Sequence, residues 1–309
     1  MKNTYKEKIH SCSRKTNILQ ILNHCNLLCC DVNQLIAEYD AKEWKTSSEM
    51  LINLTALPYA GGFLVYQQQI YVCSKSEISI YNMIEKTKIR KNLHFVASSG
   101  FDINQQKKVL YIADENSVFV INLDLCVVSS WRTPCRIKFG LCYLKSDGET
   151  LYLSISRIHK VFACNSNNGQ VLQQFGSGCG SQPNQFDLPL QLTANGKTLY
   201  VCDTRNHRVQ VLEKKNGTFF TQWGKGKSST EKGQFYCPYS IYYHISENIF
   251  YVGDNYSVQL FTNHNDNTCT CLQRLNEVCS VRSIGVDDSM NRLYVLDMEK
   301  EEISMFQCC

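Results

Sequence analysis

The residues with the most evident chemistry are cations gathered around one stretch. Leu199 to Leu212 reads LYVCDTRNHRVQVL and holds Arg205, His207 and Arg208; Lys225, Lys227 and Lys232 follow it, and Arg132, Arg136 and Arg157 come before it. Guanidinium and ammonium groups that share a surface can hold carboxylates or phosphates. Tyr236, between Phe235 and near Tyr239, adds a ring on which a base can stack. Asp203 and Arg208 flank the turn of the stretch, a placement that pairs carboxylate with guanidinium and holds the hairpin. Catalysis is harder to assemble. Of the seven histidines only His94 and His244 fall near predicted inner strands, too few for a His-rich zinc centre. A calcium site built from Asp and Asn stays open. No nucleophile, base and orienter emerge from the spacing, so the expectation is a chain that is not an enzyme, with no cofactor and no resident metal.

The stretch itself is two runs of alternating apolar and polar residues joined by DTRNH, the pattern of a β-hairpin. Its core recurs: IYV at Ile70, LYI at Leu110, LYL at Leu151, LYV at Leu199, FYV at Phe250 and LYV at Leu293. The tyrosines Tyr71, Tyr111, Tyr152, Tyr200, Tyr251 and Tyr294 are 40, 41, 48, 51 and 43 residues apart. Strand-forming repeats of that length are propeller blades of four strands each. In the fourth copy the strands are PLQLTANG, TLYVCD, RVQVLE and TFFTQWG. The expected fold is therefore all-β, a six-bladed β-propeller. The sixth copy ends after its third strand, ISMFQ, so EMLINLT, Glu49 to Thr55, is expected to pair beside it and close the ring. In such a ring the DTRNH-type turns and the long connections between blades share one face, which carries the basic residues over blades two to four, while Glu299, Glu301 and Glu302 lie opposite.

Residues 1–46 have a different texture and form the expected helical N-terminal segment, with residues 47–309 as the propeller. Ile18, Leu19, Ile21 and Leu22, and then Val32, Leu35, Ile36 and Tyr39 after Asp31, follow helical spacing. The apolar-leaning run Ile18 to Cys30 is too short to span a bilayer, and no leader with a cleavage site is visible, so a soluble, cytoplasmic protein is expected. Net charge is +4 and the pI about 8.2, compatible with a polyanionic partner without requiring one. The 17 cysteines are odd in number in a chain of this size, which favours reduced thiols over a disulfide framework. Cys269 and Cys271 share one strand face, as packing residues do. Cys12, His24, Cys25, Cys29 and Cys30 match no ordinary zinc spacing.

Phe175 to Leu212, FGSGCGSQPNQFDLPLQLTANGKTLYVCDTRNHRVQVL, resembles an NHL repeat: a Gly-rich FGxxG segment, a Phe-x-x-Pro lead-in, a strand ending in YVxD, then NHRVQV. The fifth copy keeps QFYCPYSI, FYVGD and SVQLF; the second keeps LYIAD and the sixth LYVLD. The third has Ile155, and the first Ser74, where the others have Asp. The resemblance covers about Glu49 to Gln307. It implies a six-bladed propeller used for recognition, whose relatives bind RNA or proteins, often beside a ubiquitin-ligase module; some are metal-dependent lyases or lactonases. CDVNQLIAEYD, within residues 30–44, resembles the first helix of an F-box without its Leu-Pro opening. Cys308-Cys309 is similar to the double-cysteine end of geranylgeranylated Rab-type proteins, without a GTPase context.

The expected function is protein recognition by a monomeric propeller whose candidate face comprises Arg132, Arg136, Arg157, Arg205, His207, Arg208, Lys225, Lys227, Lys232 and Tyr236. RNA is the alternative ligand, with no signal specific to DNA. A ubiquitin-ligase substrate adaptor and a metal-dependent enzyme follow in that order.

Overall fold

The computed structural model describes residues 44–53, 62–74, 77–93, 100–137, 142–264, 267–287 and 292–308. They form six antiparallel sheets of four strands each. The innermost strands are Gly62–Tyr66, Phe101–Asn104, Cys142–Asp147, Pro189–Asn195, Ser240–His244 and Val281–Asp287. Each packs beside the next, and the last packs beside the first, so the sheets are blades of a closed six-bladed propeller.

Closure comes from the N-terminal side. The strand Trp44–Asn53 lies antiparallel beside Glu302–Cys308, pairing from Trp44 with Cys308 to Asn53 with Glu302 through two register shifts, and completes the sixth blade. The strand starts five residues earlier than expected, so Trp44 to Thr46 belong to the sheet rather than to a helical segment. The reason is the edge it covers: Glu302–Cys308 runs on to Cys308, and a shorter partner would leave its last backbone groups unpaired. The helices expected before residue 44, the F-box-like stretch and the cluster from Cys12 to Cys30 lie outside the described residues, as do His94 and Cys309.

The core follows the ring. Among the described residues there are six buried apolar clusters, each shared by two neighbouring blades. Phe63, Ile70 and Val72 of blade one meet Tyr294, Leu296 and Ile303 of blade six, which seals the junction between the first and the last blade. The six repeated tyrosines are all buried, so their period is that of the framework. Between blades four and five the packing is mostly aromatic: Trp223 stacks on Phe261 at 5.6 Å and meets Phe250 edge-on at 5.0 Å. The described cysteines are free thiols, and Cys269 and Cys271 pack against this same cluster. Among the described residues no helix is long and apolar enough to cross a membrane.

Candidate functional site: a turn face on a buried polar frame

In blade four the strand Thr198–Asp203 turns through a single 3-10 turn, Thr204–Asn206, into Arg208–Glu213. Asp203 is fully buried at the start of that turn. Its Oδ1 accepts the Asp187 N–H at 2.7 Å, and its Oδ2 accepts Arg208 Nε at 2.8 Å and Gln210 Nε2 at 2.9 Å. Burial pushes the Asp203 carboxyl up, while the Asp187 N–H and the side chains of Asn206, Arg208 and Gln210 pull it down.

Arg208 spends its remaining donors on the Gln182 and Gln185 carbonyls and on Gln222 Oε1. It is only 3% exposed, so it belongs to the frame and leaves the proposed binding face. The physical reason is local: a guanidinium opposite a buried carboxylate, with loop carbonyls beyond it, finds all its partners inside. Gln210 extends the frame, accepting the Asn184 N–H at 3.1 Å and donating to the Gln185 carbonyl.

The frame repeats. In blade five, Asp254 accepts the Tyr236 N–H at 3.1 Å, and Gln259 accepts the Gly233 N–H while donating to the Gln234 carbonyl. In blade six, Asp297 accepts the Cys279 N–H at 2.8 Å. Each carboxylate thus ties its own turn to the connection arriving from the preceding blade. The glutamines were missed in the sequence, although NQF with RVQVL in one copy and GQF with SVQLF in the next repeat the pair.

A second tie runs the other way. His207 Nδ1 accepts the Cys237 N–H at 3.0 Å, and His159 Nδ1 accepts the Leu188 N–H at 3.2 Å. His159 Nδ1 also lies 3.5 Å from Asp187, and Cys179 Sγ is close enough to complete a possible trio of metal ligands. The Nδ1 lone pair is already engaged by Leu188, and the Arg205 guanidinium stands 3.8 Å from the same carboxylate, so the trio is read as a loop tie.

On this frame sits the face. Arg205 is 63% exposed and close to Asp187. The His207 ring lies 5.5 Å from Tyr236, and Tyr236 lies 5.1 Å from Tyr256, itself 45% exposed, so three rings run in a row from blade four to blade five. Tyr256, absent from the sequence-based set, occupies the turn of the fifth copy. Arg157, Lys225 and Lys227 are exposed with no charged partner among the described residues, and Lys232 donates to the Leu272 carbonyl at 2.6 Å. Arg132 and Arg136 line a separate open groove with Asn116, Ser117, Thr133 and Cys135, where Arg136 lies 3.5 Å from Glu115. The expected crescent is therefore a patch over blades three to five plus a groove beside blade two.

Near the central channel on the same face, Arg282 of blade six lies between Tyr143 of blade three and Tyr239 of blade five, its guanidinium carbon 6.0 Å from each ring centre.

An NHL repeat matches residues 186–212, the lead-in and hairpin of blade four. No curated protein sequence matches the chain. Among solved structures, a functionally unknown protein from Desulfotomaculum acetoxidans is similar with a TM-score of 0.61 and 12% identity, covering 85% of this chain and 87% of that one. Kuenenia stuttgartiensis hydrazine synthase is similar with a TM-score of 0.58 and 14% identity, covering 80% and 82%. A chain of a mitotic checkpoint complex gives a TM-score of 0.56 at 9% identity, covering 78% and 71%. At these identities the likeness is one of fold.

Proposed function

We propose that this chain is a non-enzymatic interaction protein that recognises a protein partner with the turn face of blades four and five. The observation that carries this reading is the row His207, Tyr236, Tyr256 beside the exposed Arg205. Tyrosine and arginine dominate the binding energy of protein interfaces, and a platform fixed in advance by buried ties loses little entropy on binding. The NHL repeat and the propeller in a mitotic checkpoint complex are consistent with such a role. The guanidinium near the channel mouth disfavours a cation there, which weighs against the metal-dependent enzyme.

The test replaces the face without touching the frame. Tyr236→Ala with Tyr256→Ala and Arg205→Glu is expected to abolish capture of partners that the unaltered protein retains, with an unchanged Tm. Retention of every partner by this variant would refute the face.

RNA recognition is the second reading, favoured by the exposed Lys225 and Lys227 on the same connection as Tyr236, whose ring meets Tyr256 edge-on. Binding of mixed single-stranded RNA would then weaken steeply with salt and disappear in Arg205→Glu with Lys225→Glu.

A further inference from the structure

Arg282 stands out among the cations because of where it is held. It occupies a register shift in the innermost strand of blade six, between the pairs Val281 with Asp297 and Ser283 with Leu296. A bulge of this kind re-aims a side chain that regular pairing would send into the blade. Here the side chain reaches Tyr143, on the blade directly across the ring, and Tyr239, on the blade adjacent to its own.

Neither contact satisfies it. At 6.0 Å both rings stand at the outer limit of cation–π attraction, and the five N–H donors of the guanidinium have no acceptor among the described residues. The group is nonetheless partly buried. Tyr143 supplies an independent sign: it is 4% exposed, and its hydroxyl is buried without a hydrogen-bond partner. A buried phenol without a partner is costly in a finished fold, and the half-buried guanidinium beside it keeps donors open to a ligand. Burial raises the Tyr143 and Tyr239 phenols while Arg282 pulls both down, so both are protonated donors at neutral pH.

We propose that Arg282, Tyr143 and Tyr239 form a carboxylate-binding site near the mouth of the central channel. The planar fork of Arg282 takes both carboxylate oxygens, and the phenols donate to the lone pairs that remain. The carboxylate has two sources, a free organic acid or an acidic side chain of a partner. Only the second rests on the protein-recognition reading above.

Calorimetric titration of the full chain with glutarate, and separately with the blocked peptide acetyl-Gly-Glu-Gly-amide, tests the site. Binding of either probe is expected. Arg282→Lys keeps the charge and loses the fork, and is expected to weaken binding roughly tenfold to a hundredfold. Tyr143→Phe is expected to weaken binding as well while raising the Tm of the free protein, because it removes a buried hydroxyl that has no partner. Glutarate binding alone assigns the site to a free acid, and peptide binding assigns it to a partner's side chain; both outcomes uphold it. Binding of neither probe, equal affinity in Arg282→Lys, or a lowered Tm in Tyr143→Phe would overturn the site. The protein-recognition face would be untouched by that failure, since its own test alters Tyr236, Tyr256 and Arg205 and leaves these three residues in place.

Discussion

Blades three and four both pass through a 3-10 turn, Ser156–Ile158 and Thr204–Asn206, and both end it on a histidine in the left-handed region, His159 at φ 57° and His207 at φ 52°. In both, the histidine ring accepts an N–H from the connection leaving the blade. Gly176 and Gly224 open those connections at φ 94° and 84°, where an added Cβ would stand 2.8 Å from the Phe186 or Phe235 ring. The difference lies on the arriving side. Blade four has buried Asp203, Arg208 and Gln210, whereas blade three has Ile155, Lys160 and Phe162 at the same strand positions, with Ile155 and Phe162 in the apolar cluster shared with blade two. One turn geometry is thus reached with a polar frame in one blade and with packing in the other.

The largest expected effect breaks this comparison at its centre. Asp203→Ala strands the Arg208 guanidinium in the interior and is expected to cost about 3–5 kcal/mol in denaturant unfolding. The combined variant Asp203→Ile, Arg208→Lys and Gln210→Phe, which copies blade three, is expected to retain more stability than Asp203→Ala alone; a lower value would show that packing cannot replace the frame. Next come the shared glycines. Gly176→Ala and Gly224→Ala are each expected to lose about 1–3 kcal/mol from backbone strain and the ring clash, and a marked inequality between them would show that the two connections are not alike. His159→Ala and His207→Ala should cost about 0.5–1.5 kcal/mol each, with the greater loss of Tm in blade three, where this is the tie that remains.

The smallest effect at neutral pH concerns the thiols. Burial pushes Cys164 of blade three up to about 12 and raises Cys202 of blade four well above the ordinary thiol value. The folded chain keeps these protons at a pH where the unfolded chain has released them. Their contribution to stability is therefore complete below the ordinary thiol value and declines as pH climbs through about 12. Iodoacetamide near neutral pH is expected to label the exposed Cys126 and Cys179 and spare Cys164 and Cys202, and Tm is expected to fall progressively on the alkaline side. Labelling of Cys164 ahead of Cys179 would mean that blade three opens in a way blade four does not.

Much of the fold was legible because a blade is a local object. Six tyrosines at a steady period and alternating strands announced six sheets, and an incomplete last blade implied a closing strand at the other end of the chain. Its exact start was not legible, since the length of a closing strand is set by the edge it covers. The site was less so. The structure places Arg205 in the open and His207 and Tyr236 half-buried beside the same turn, but Arg208, assigned to that face by type and spacing, is turned inward by its partners Gln182, Gln185 and Gln222. Tyr256 has no charge or motif to mark it and gains meaning only from lying beside Tyr236.

By itself the sequence determined the repeat, the blade number and the side of the ring on which the turns gather, because hydrophobic period and turn chemistry act over a few residues. Only the tertiary structure decided which polar residues became frame and which became face, since burial depends on neighbours 16 to 26 residues away in the connections, as with Asp187 and Asp203 or Gln182 and Arg208. It alone also brought Arg282 to Tyr143, from blades on opposite sides of the ring, a meeting that no local pattern encodes because closure of the propeller creates it.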